Sequence, residues 1–302
     1  MEINDCLDDD FHVATVFYDI KKAFDTLNHE ILLDKMINSG IRGKGLQIIK
    51  SYLCGRKITV NVGGKMTNLK SLIDIGVPQG SVLGPLLFLI YINDLPRGLH
   101  ENISHAVLFA DDTAITVKAR DSLTLIENLT ISVTSVNRWF VSNKLVPNFK
   151  KTNFMVFGRS KRSTREISCE ELQVGDQKIC RVQSYRYLGV FLDPLLSFHN
   201  HIEYLRLKLA QNIGSMYRVK NIFPFTILKI IYHSLITSYL NYCSVVYLNT
   251  FWKHIKPLQV LQNRAIRILG NFLHRPSKLE NVSETKTLFL FLNLLNLNDI
   301  RI

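Results

Sequence analysis

The amino-acid sequence predicts an α+β fold, in which a first part that mixes strands with helices is followed by an all-helical part. Up to about residue 200, apolar runs of strand length alternate with segments whose apolar residues recur every three or four positions. From His199 onward the helical spacing dominates. A chain of 302 residues is long enough for about two domains. We therefore expect one domain over residues 1–200 and a helical one over residues 201–302.

The first predicted elements are a buried strand and a capped helix. Residues His12–Tyr18 read HVATVFY, an apolar run of strand length that ends at Asp19. Asp25 or Asn28 can cap the helix that follows, which stops at Gly40. We interpret Asp25 as a helix cap and not as a metal ligand.

A second helix, a hairpin and a loop come next. The helix spans about Leu46–Leu53. Apolar and polar residues alternate over Ile58–Val62, before Gly63-Gly64, a pair typical of a two-residue hairpin turn. Residues 76–81 (GVPQGS) are expected to form a loop, whose final serine can cap an apolar helix over residues 82–93.

Two more hairpins and a long helix complete the first part. The apolar runs Ala106–Ala110 and Thr113–Val117 are separated by Asp111-Asp112, which predicts a hairpin with both acids at its tip. An amphipathic helix starts at Asp121, and Gly175-Asp176 predicts another hairpin turn. The remaining predictions are strands at Phe154–Phe157 and Tyr187–Leu192 and a basic surface loop at Arg159–Glu166.

The net charge of +12 is unevenly distributed along the chain. Between His201 and Gly270 there are nine basic residues and a single acid, Glu203. A basic region of this kind suits a polyanion such as nucleic acid. The alternative is a solvated helical surface, and composition does not decide between the two. The nine residues are Arg206, Lys208, Arg218, Lys220, Lys229, Lys253, Lys256, Arg264 and Arg267.

The N-terminal sequence, the apolar runs and the cysteines indicate in which cellular compartment the protein is expected. The sequence does not open with the basic, apolar and small-residue pattern of a secretory signal. The apolar run Val82–Ile92 is too short to span a bilayer. The five cysteines are scattered without a C-x-x-C pair, which favours a reducing compartment. We expect an intracellular protein of the nucleus or cytoplasm, neither secreted nor in a membrane.

Acidic residues stand where the predicted strands end. Asp19 follows the first strand, and Asp111-Asp112 separate two others. Such a cluster favours Mg²⁺, which prefers oxygen ligands and is usually held by one or two carboxylates plus substrate phosphates. The alternative is an ordinary acidic turn, although Asn-Gly or Asp-Gly is the usual choice at a hairpin tip. The hypothesis requires three aspartates far apart in the chain to converge at adjoining strand tips.

Three segments, in order, resemble the first three polymerase motifs of reverse transcriptases: residues 17–25 (FYDIKKAFD), 76–85 (GVPQGSVLGP) and 109–112 (FADD). Later segments resemble the fourth motif, the fifth or primer-gripping motif, and a stretch beyond the thumb: residues 139–152, 187–190 and 261–267. The likeness is greatest to non-LTR retrotransposons of the LINE or jockey kind. It implies a right-hand polymerase palm over residues 1–200 and a helical thumb with a C-terminal extension over residues 201–302.

The resemblance implies two-metal nucleotidyl transfer, in which a primer 3′-hydroxyl attacks a nucleotide α-phosphate. Asp19 and Asp111 would bind two Mg²⁺ ions, with Mn²⁺ as the alternative ion. Asp112 would complete the acidic cluster, and the peptide carbonyl of Ile20 would add a ligand. Lys151 would protonate the leaving pyrophosphate as a general acid. The alternative for Lys151 is a solvated lysine at the start of a strand.

Five further residues acquire roles from the resemblance. Phe24 would lie under the incoming sugar and exclude ribonucleotides by a clash with the 2′-hydroxyl. Gln79 and Gly80 would contact the incoming nucleotide and the template. Leu188 and Gly189 would form the turn that holds the primer. The alternatives are an ordinary core phenylalanine and a plain loop before a helix.

The implied partners are an RNA template, a DNA primer and deoxynucleoside triphosphates, with no membrane. The fingers and endonuclease of such elements are not recognised in this sequence, and we expect them in other portions of the same element. The open alternative is a catalytically inactive remnant that only binds nucleic acid. A two-metal nuclease is disfavoured because it would leave the Pro78-Gln79-Gly80 loop unexplained.

Overall fold

The computed structural model describes residues 3–58, 61–66, 71–73, 75–250 and 252–270, together with Phe289 and Leu297. The chain divides into two compact units, Met1–Gln183 and Ser184–Ile302. The division falls earlier than the predicted boundary near residue 200. The reason is packing, because Val190 is buried in the same core as the helices that follow it.

Strands and helices alternate in the first unit, and helices dominate the second. The strands are β1 His12–Tyr18, β2 Arg56–Ile58, β3 Asn61–Val62, β4 Lys65–Met66, β5 Ser71–Ile73, β6 Ser104–Phe109, β7 Asp112–Ala119, β8 Asn153–Phe157, β9 Glu171–Val174, β10 Gln177–Arg181, β11 Tyr185–Tyr187 and β12 Val190–Leu192. The helices are α1 Ile3–Asp8, α2 His29–Asn38, α3 Gly43–Leu53, α4 Leu83–Ile92, α5 Ser122–Ser142, α6 Lys161–Arg165, α7 His199–Val219, α8 Phe225–Tyr232, α9 Ser238–Asn241, α10 Ser244–Tyr247 and α11 Trp252–Gly270. A 3₁₀ turn at Leu95–Gly98 and a π-helical turn at His233–Thr237 complete the described elements.

The central element of the first unit is β1, which lies in a six-stranded sheet of order β6-β7-β1-β8-β10-β9. Neighbouring strands are antiparallel except β8 and β10, which run parallel. Because β1 has partners along both edges and is covered on both faces, every residue from Val13 to Tyr18 is buried. The predicted α+β class with a mainly antiparallel sheet is confirmed.

The long helix α5 packs against this sheet. Asp121 caps it, since its carboxylate accepts a hydrogen bond from the Thr124 N–H at 2.9 Å, and the helix begins where the sequence predicts. The ring of Phe140 lies 5.7 Å from the ring of Tyr18, so the helix covers the end of β1. The buried apolar residues of α5 follow the helical period: Leu125, Leu129, Val133, Val136 and Phe140.

Two local predictions were wrong. Asn28 caps α2, because its side chain accepts a hydrogen bond from the Ile31 N–H at 3.1 Å, whereas Asp25 lies in the turn before it. The segment predicted as a basic surface loop contains α6. Ser160 and Ser163 form a reciprocal capping box that starts this short helix.

Two predicted hairpin turns are present in the structure. Strands pair on either side of Gly63-Gly64 and of Gly175-Asp176, so both turns are confirmed. Val60, which was predicted to extend the first hairpin, lies outside the described residues. The single strand predicted at Tyr187–Leu192 is a hairpin of β11 and β12 that turns at Leu188-Gly189.

The core of the second unit lies between α7 and α11. One face of α7 is buried over its whole length: His201, Ile202, Leu205, Leu209, Ile213 and Met216. The helical character predicted after residue 199 is confirmed for the described residues. No helix in that part of the chain, or in the described first unit, is both long and apolar enough to cross a bilayer.

Candidate active site

The pairing of β1 with β7 brings two of the predicted acids together. Tyr18 pairs with Thr113 at the end of this antiparallel ladder. Asp19 follows Tyr18 and Asp112 precedes Thr113, so the next position of the register sets Asp19 opposite Asp112. Two carboxylates from distant parts of the sequence therefore stand at adjoining strand ends.

The third acid lies in the turn of the β6–β7 hairpin. Because Phe109 pairs with Asp112, the two turn residues are Ala110 and Asp111. This differs by one residue from the predicted turn at Asp111-Asp112. Ala110 has φ +52°, in the left-handed region that alanine rarely occupies. Asp111 is consequently exposed in the turn, and Asp112 is half-buried in the strand.

The electrostatics of Asp112 reflect the closeness of the three acids. Partial burial raises the pKa of the Asp112 carboxyl, and the charges of Asp111 and Asp19 raise it further. Asp112 therefore holds its proton to a higher pH than an ordinary aspartic acid. A cation among these groups would reverse this effect.

Asp19 is oriented by the segment that precedes β8. Its Oδ2 accepts a hydrogen bond from Asn148 Nδ2 at 2.8 Å, and Lys151 Nζ lies 3.8 Å from the same oxygen. The Asp19 backbone carbonyl accepts a further bond from the Asn148 N–H at 2.7 Å. Lys151, predicted as a general acid, is thus beside the acids and is 69% exposed. Asn148 was not predicted as a site residue, and only its place in the segment that resembles the fourth motif distinguishes it.

The peptide groups around Ile20 alternate in direction. Asp19 and Lys21 both bond to the segment 146–148, while Ile20 forms the bridge position between them. In an antiparallel ladder, successive residues direct their peptide groups to opposite edges. We infer that the Ile20 carbonyl is directed away from this segment, toward the side on which Asp111 lies.

The donor set fits a hard divalent cation such as Mg²⁺, because it consists of carboxylate and carbonyl oxygens at an accessible strand end. In the part of the chain that the structure describes, no three His, Cys, Asp or Glu side chains form a complete metal site by themselves. Such a site is not required, because Mg²⁺ is commonly held by one or two carboxylates with substrate phosphates. The candidate ligands are Asp19, Asp111, Asp112 and the carbonyl of Ile20.

The loop 76–81 is fastened to the turn that follows β1. The Gly76 N–H donates to the Leu27 carbonyl at 2.7 Å, and the Val77 N–H donates to the Phe24 carbonyl at 2.8 Å. Gly76 has φ +74°, and a Cβ atom there would lie 2.5 Å from the Asp25 carbonyl oxygen. Only glycine fits this position, since both the backbone angle and the space exclude a side chain.

Two side chains that the sequence analysis did not select hold this loop. His29 Nε2 lies 2.8 Å and the Arg56 guanidinium 2.5 Å from the carbonyl oxygen of Gly76. Because a carbonyl can only accept, His29 Nε2 must carry the proton. Both contacts span long stretches of chain, and the local sequence around either residue carries no motif that predicts them.

A cleft of about 430 Å³ lies beside the loop. Gln79 Nε2 donates to Asp25 Oδ1 at 3.0 Å across it, so Asp25 acts as a loop partner and not as the predicted cap. Phe24 is half-buried, with its ring 5.0 Å from that of Phe88, while Gly80 is exposed. The cleft is lined by Asp25, Arg56, Ile75, Gly76, Val77, Pro78 and Gln79.

In the second unit, the β11–β12 hairpin turns through two left-handed residues. Leu188 has φ +45° and Gly189 has φ +83°. The Tyr242 hydroxyl donates to the Leu188 carbonyl at 2.7 Å, which fixes the turn. The predicted primer-grip residues thus form a turn, as expected from the resemblance.

The nine basic residues between His201 and Gly270 all lie on helices or at a helix end, and none is buried. Arg206 pairs with Glu203 at 2.7 Å, which neutralises the only acid of the stretch. Basic side chains on helices are available to a polyanion, although a solvated surface would present them in the same way.

Comparisons with known proteins agree with the motifs. Residues 8–192 match the family model described as "Reverse transcriptase (RNA-dependent DNA polymerase)". The chain is 30% identical over 264 residues to "RNA-directed DNA polymerase from mobile element jockey" of Drosophila funebris, covering 85% of this chain and 28% of that protein. It is 27% identical over 281 residues to "Probable RNA-directed DNA polymerase from transposon X-element" of Drosophila melanogaster, covering 89% of this chain and 30% of that protein.

Among solved structures, the chain is similar to apo telomerase from Candida tropicalis truncated from its C-terminal domain, with a TM-score of 0.41 and 16% identity. That alignment covers 64% of this chain and 36% of the telomerase chain. The chain spans less than a third of the length of the two Drosophila polymerases that it matches.

Proposed function

The chain belongs to the reverse transcriptase (RNA-dependent DNA polymerase) family, and on this premise we propose that it adds deoxynucleotides to a DNA primer on an RNA template. The observation that most supports the proposal is the meeting of β1 and β7, which sets Asp19 opposite Asp112 and beside Asp111. Carboxylates gathered in this way repel one another, and bound cations would offset that repulsion.

The acids and one carbonyl are proposed to hold two divalent cations. Asp19, Asp111 and the carbonyl of Ile20 are the ligands, and Asp112 adds negative charge to the cluster. When bound, Mg²⁺ or Mn²⁺ stabilises charge on the attacking and leaving oxygens of a phosphoryl transfer. The protein itself contributes position, because β1 is buried along its length and keeps Asp19 fixed.

Asn148 is proposed to orient a metal ligand, and Lys151 is proposed to protonate the leaving group. Asn148 donates to Asp19 Oδ2 and so leaves the second oxygen of that carboxylate free for a ligand. Lys151 is exposed and close to Asp19, a position from which its ammonium can give a proton to the leaving pyrophosphate.

Phe24, Gln79 and Gly80 are proposed to bind the incoming nucleotide. Gln79 and Gly80 are exposed on a loop that is fastened to the chain beside Phe24, so the three act as one surface. Gly80 has a left-handed backbone, and a Cβ atom placed on it would meet no other atom within 4 Å, so a ligand can approach the main chain there.

Replacement of Phe24 by valine is expected to weaken sugar discrimination. The smaller side chain leaves room for a 2′-hydroxyl, so ribonucleotide incorporation relative to deoxynucleotide incorporation should rise at least about tenfold. The measurement is the ratio of the two kcat/KM values in primer extension. Phe24→Tyr retains the ring and should keep the wild-type ratio. An unchanged ratio in Phe24→Val would exclude Phe24 as the sugar contact.

The second unit is proposed to hold the template–primer. The Leu188-Gly189 turn would contact the primer, and the basic residues of α7, α8 and α11 would neutralise backbone phosphates. The first 200 residues would then act as a palm, and the helices after them as a thumb and C-terminal extension.

Primer extension on an RNA template tests the proposal. With deoxynucleotides and Mg²⁺, the primer should lengthen, and addition of EDTA should stop the reaction because the acids lose their cations. The competing function is nucleic-acid binding alone, which the basic helices favour. Binding alone predicts salt-sensitive affinity for nucleic acid and no nucleotide incorporation, with Mg²⁺ or with EDTA. Shortening of the primer or template would instead indicate a nuclease.

A further inference from the structure

The unit Ser184–Ile302 contains a pocket of its own, about 330 Å³ in volume. The β11–β12 hairpin forms one wall, and α7, α9 and the residue that follows α9 form others. Three of its eight lining residues are tyrosines, and one is an arginine. The lining residues are Arg186, Gly189, His201, Tyr204, Leu205, Ser238, Tyr239 and Tyr242.

Two aromatic rings and a guanidinium group cluster at and behind this wall. The ring of Tyr204 lies 5.4 Å from that of Phe191. The Arg186 guanidinium lies 5.5 Å from the Tyr204 ring and 5.7 Å from the Phe191 ring. Tyrosine rings and arginine planes are the surfaces on which nucleobases stack, because every base has a π face. Arg186 is exposed, so its charge is also available to a phosphate.

His201 supplies a buried polar ring to the same pocket. It is 2% exposed, yet neither ring nitrogen has a hydrogen-bond partner in the described structure. Burial, and then the charge of Arg186, lower the pKa of His201 to about 4. The ring is therefore neutral near pH 7, with one donor and one acceptor. Such a ring suits the edge of a base better than it suits a phosphate, which needs donors only.

The pocket is fixed to the hairpin turn by Tyr242. Its hydroxyl donates to the Leu188 carbonyl at 2.7 Å, and a Cβ atom on Gly189 would lie 3.1 Å from its ring. The turn therefore rests directly on the tyrosine. A strand bound at the turn would therefore lie next to the pocket.

We propose that this pocket binds one unpaired nucleotide of a nucleic-acid strand, with its base stacked on Tyr204 and its phosphate at Arg186. The inference rests on the proposed function, since the adjoining turn is the one assigned to the primer. A free nucleotide could offer the same base and phosphate. We propose a nucleotide within a strand, because α7 carries further basic side chains, Lys208 and Arg218, that could contact the phosphates of a strand but not those of a mononucleotide in the pocket.

The test is a coupling measurement between Tyr204 and single bases. Fluorescence anisotropy would give the affinity of the full chain for a set of template–primers, each with an unpaired overhang and one abasic position along it. Tyr204→Leu should weaken binding about tenfold, since stacking on one aromatic ring is commonly of that size. The loss should disappear with one particular abasic substrate, because the stacked base is then already missing.

Two variants control this measurement. Tyr204→Phe keeps the ring and should bind like the wild type. Tyr217→Leu removes another tyrosine of α7, one that lies outside the pocket beneath Lys220, and should change affinity less than about twofold. Thermal unfolding of each variant would verify that the second unit is intact.

Three outcomes would overturn the pocket assignment. These are equal losses in Tyr204→Leu and Tyr217→Leu, a loss that no abasic position removes, and competition by free dAMP or dTMP as effective as by the strand. Failure of the proposed polymerase function is distinguishable from failure of the pocket assignment. Asp111→Asn, which keeps the pocket intact, is expected to lower incorporation and to leave the Tyr204 coupling unchanged.

Discussion

Asp111→Asn is expected to lower nucleotide incorporation at least about 10²-fold, a loss typical of removing one preorganised charge-stabilising group. The substitution keeps the size of the side chain and removes the charge proposed to hold the cations. Asp111 is exposed in a turn, so the fold should be unaffected. Because the Asp111 charge raises the pKa of Asp112, its loss should also reduce repulsion within the cluster. Initial rates of primer extension in Mg²⁺ measure the effect.

Asp176→Asn is the matched control for this variant. Asp176 is also an exposed aspartate in a two-residue hairpin turn of the same sheet, between β9 and β10. It should retain full incorporation. Template–primer affinity should be the same for both variants and the wild type, since neither residue belongs to the basic helices. If Asp111→Asn and Asp176→Asn incorporate equally, the acids are not the active site.

Gly76→Ala is expected to lower the free energy of unfolding by about 2–5 kcal/mol. Roughly 1–2 kcal/mol comes from the left-handed backbone, and roughly 1–3 kcal/mol comes from overpacking. The new methyl group would lie 2.5–2.8 Å from three backbone atoms of Asp25, and backbone cannot rotate away as a side chain can. Relief of the clash would displace the loop 76–81 from Phe24, so incorporation should fall as well. Urea unfolding measures the stability difference.

Gly80→Ala separates the two causes of this loss. Gly80 has φ +78°, nearly that of Gly76, but nothing lies within 4 Å of a Cβ atom placed there. Its alanine variant should therefore lose only the backbone part, roughly 1–2 kcal/mol. Equal losses at the two positions would mean that the contact between Gly76 and Asp25 is not tight.

Much of the sheet could be predicted from the sequence because its strongest signals are local. The apolar run His12–Tyr18 is the strand β1 to the residue, and Gly175-Asp176 is the turn that its chemistry predicts. The long helix α5 was predicted from its apolar period. In each case one segment carries enough information, since periodicity and turn chemistry act over a few residues.

The errors arose where two local interpretations were equally good. Asp25 and Asn28 both carry a capping oxygen, but the Asp25 carboxylate accepts a hydrogen bond from Gln79 of the loop 76–81, whereas Asn28 caps α2. The turn at Ala110-Asp111 contradicts turn chemistry, because alanine in the left-handed region is unfavourable. The pairing of β6 with β7 sets that turn, with Phe109 opposite Asp112, and turn chemistry alone does not indicate it.

The acids of the candidate site were predicted, but the residues that orient Asp19 and hold the loop 76–81 were not. Asn148 contacts Asp19, and both His29 and Arg56 contact Gly76. Each contact joins residues that are 20 or more positions apart in the chain. Asparagine, histidine and arginine are common residues with no characteristic spacing to their partners. Such supporting contacts depend on tertiary structure, and only the folded chain reveals them.

The two-sided pairing of β1 limits which changes of length this sequence can accept. Five consecutive residues of β1, Val13 to Phe17, are paired with β7 on one edge and with β8 on the other. A one-residue deletion there would turn every following side chain to the opposite face, including that of Asp19. Insertions at Gly175-Asp176 would alter only a solvent-facing connection. Related copies of this chain should therefore differ in length at the outer hairpins and keep a constant count of residues from the first strand to its acid.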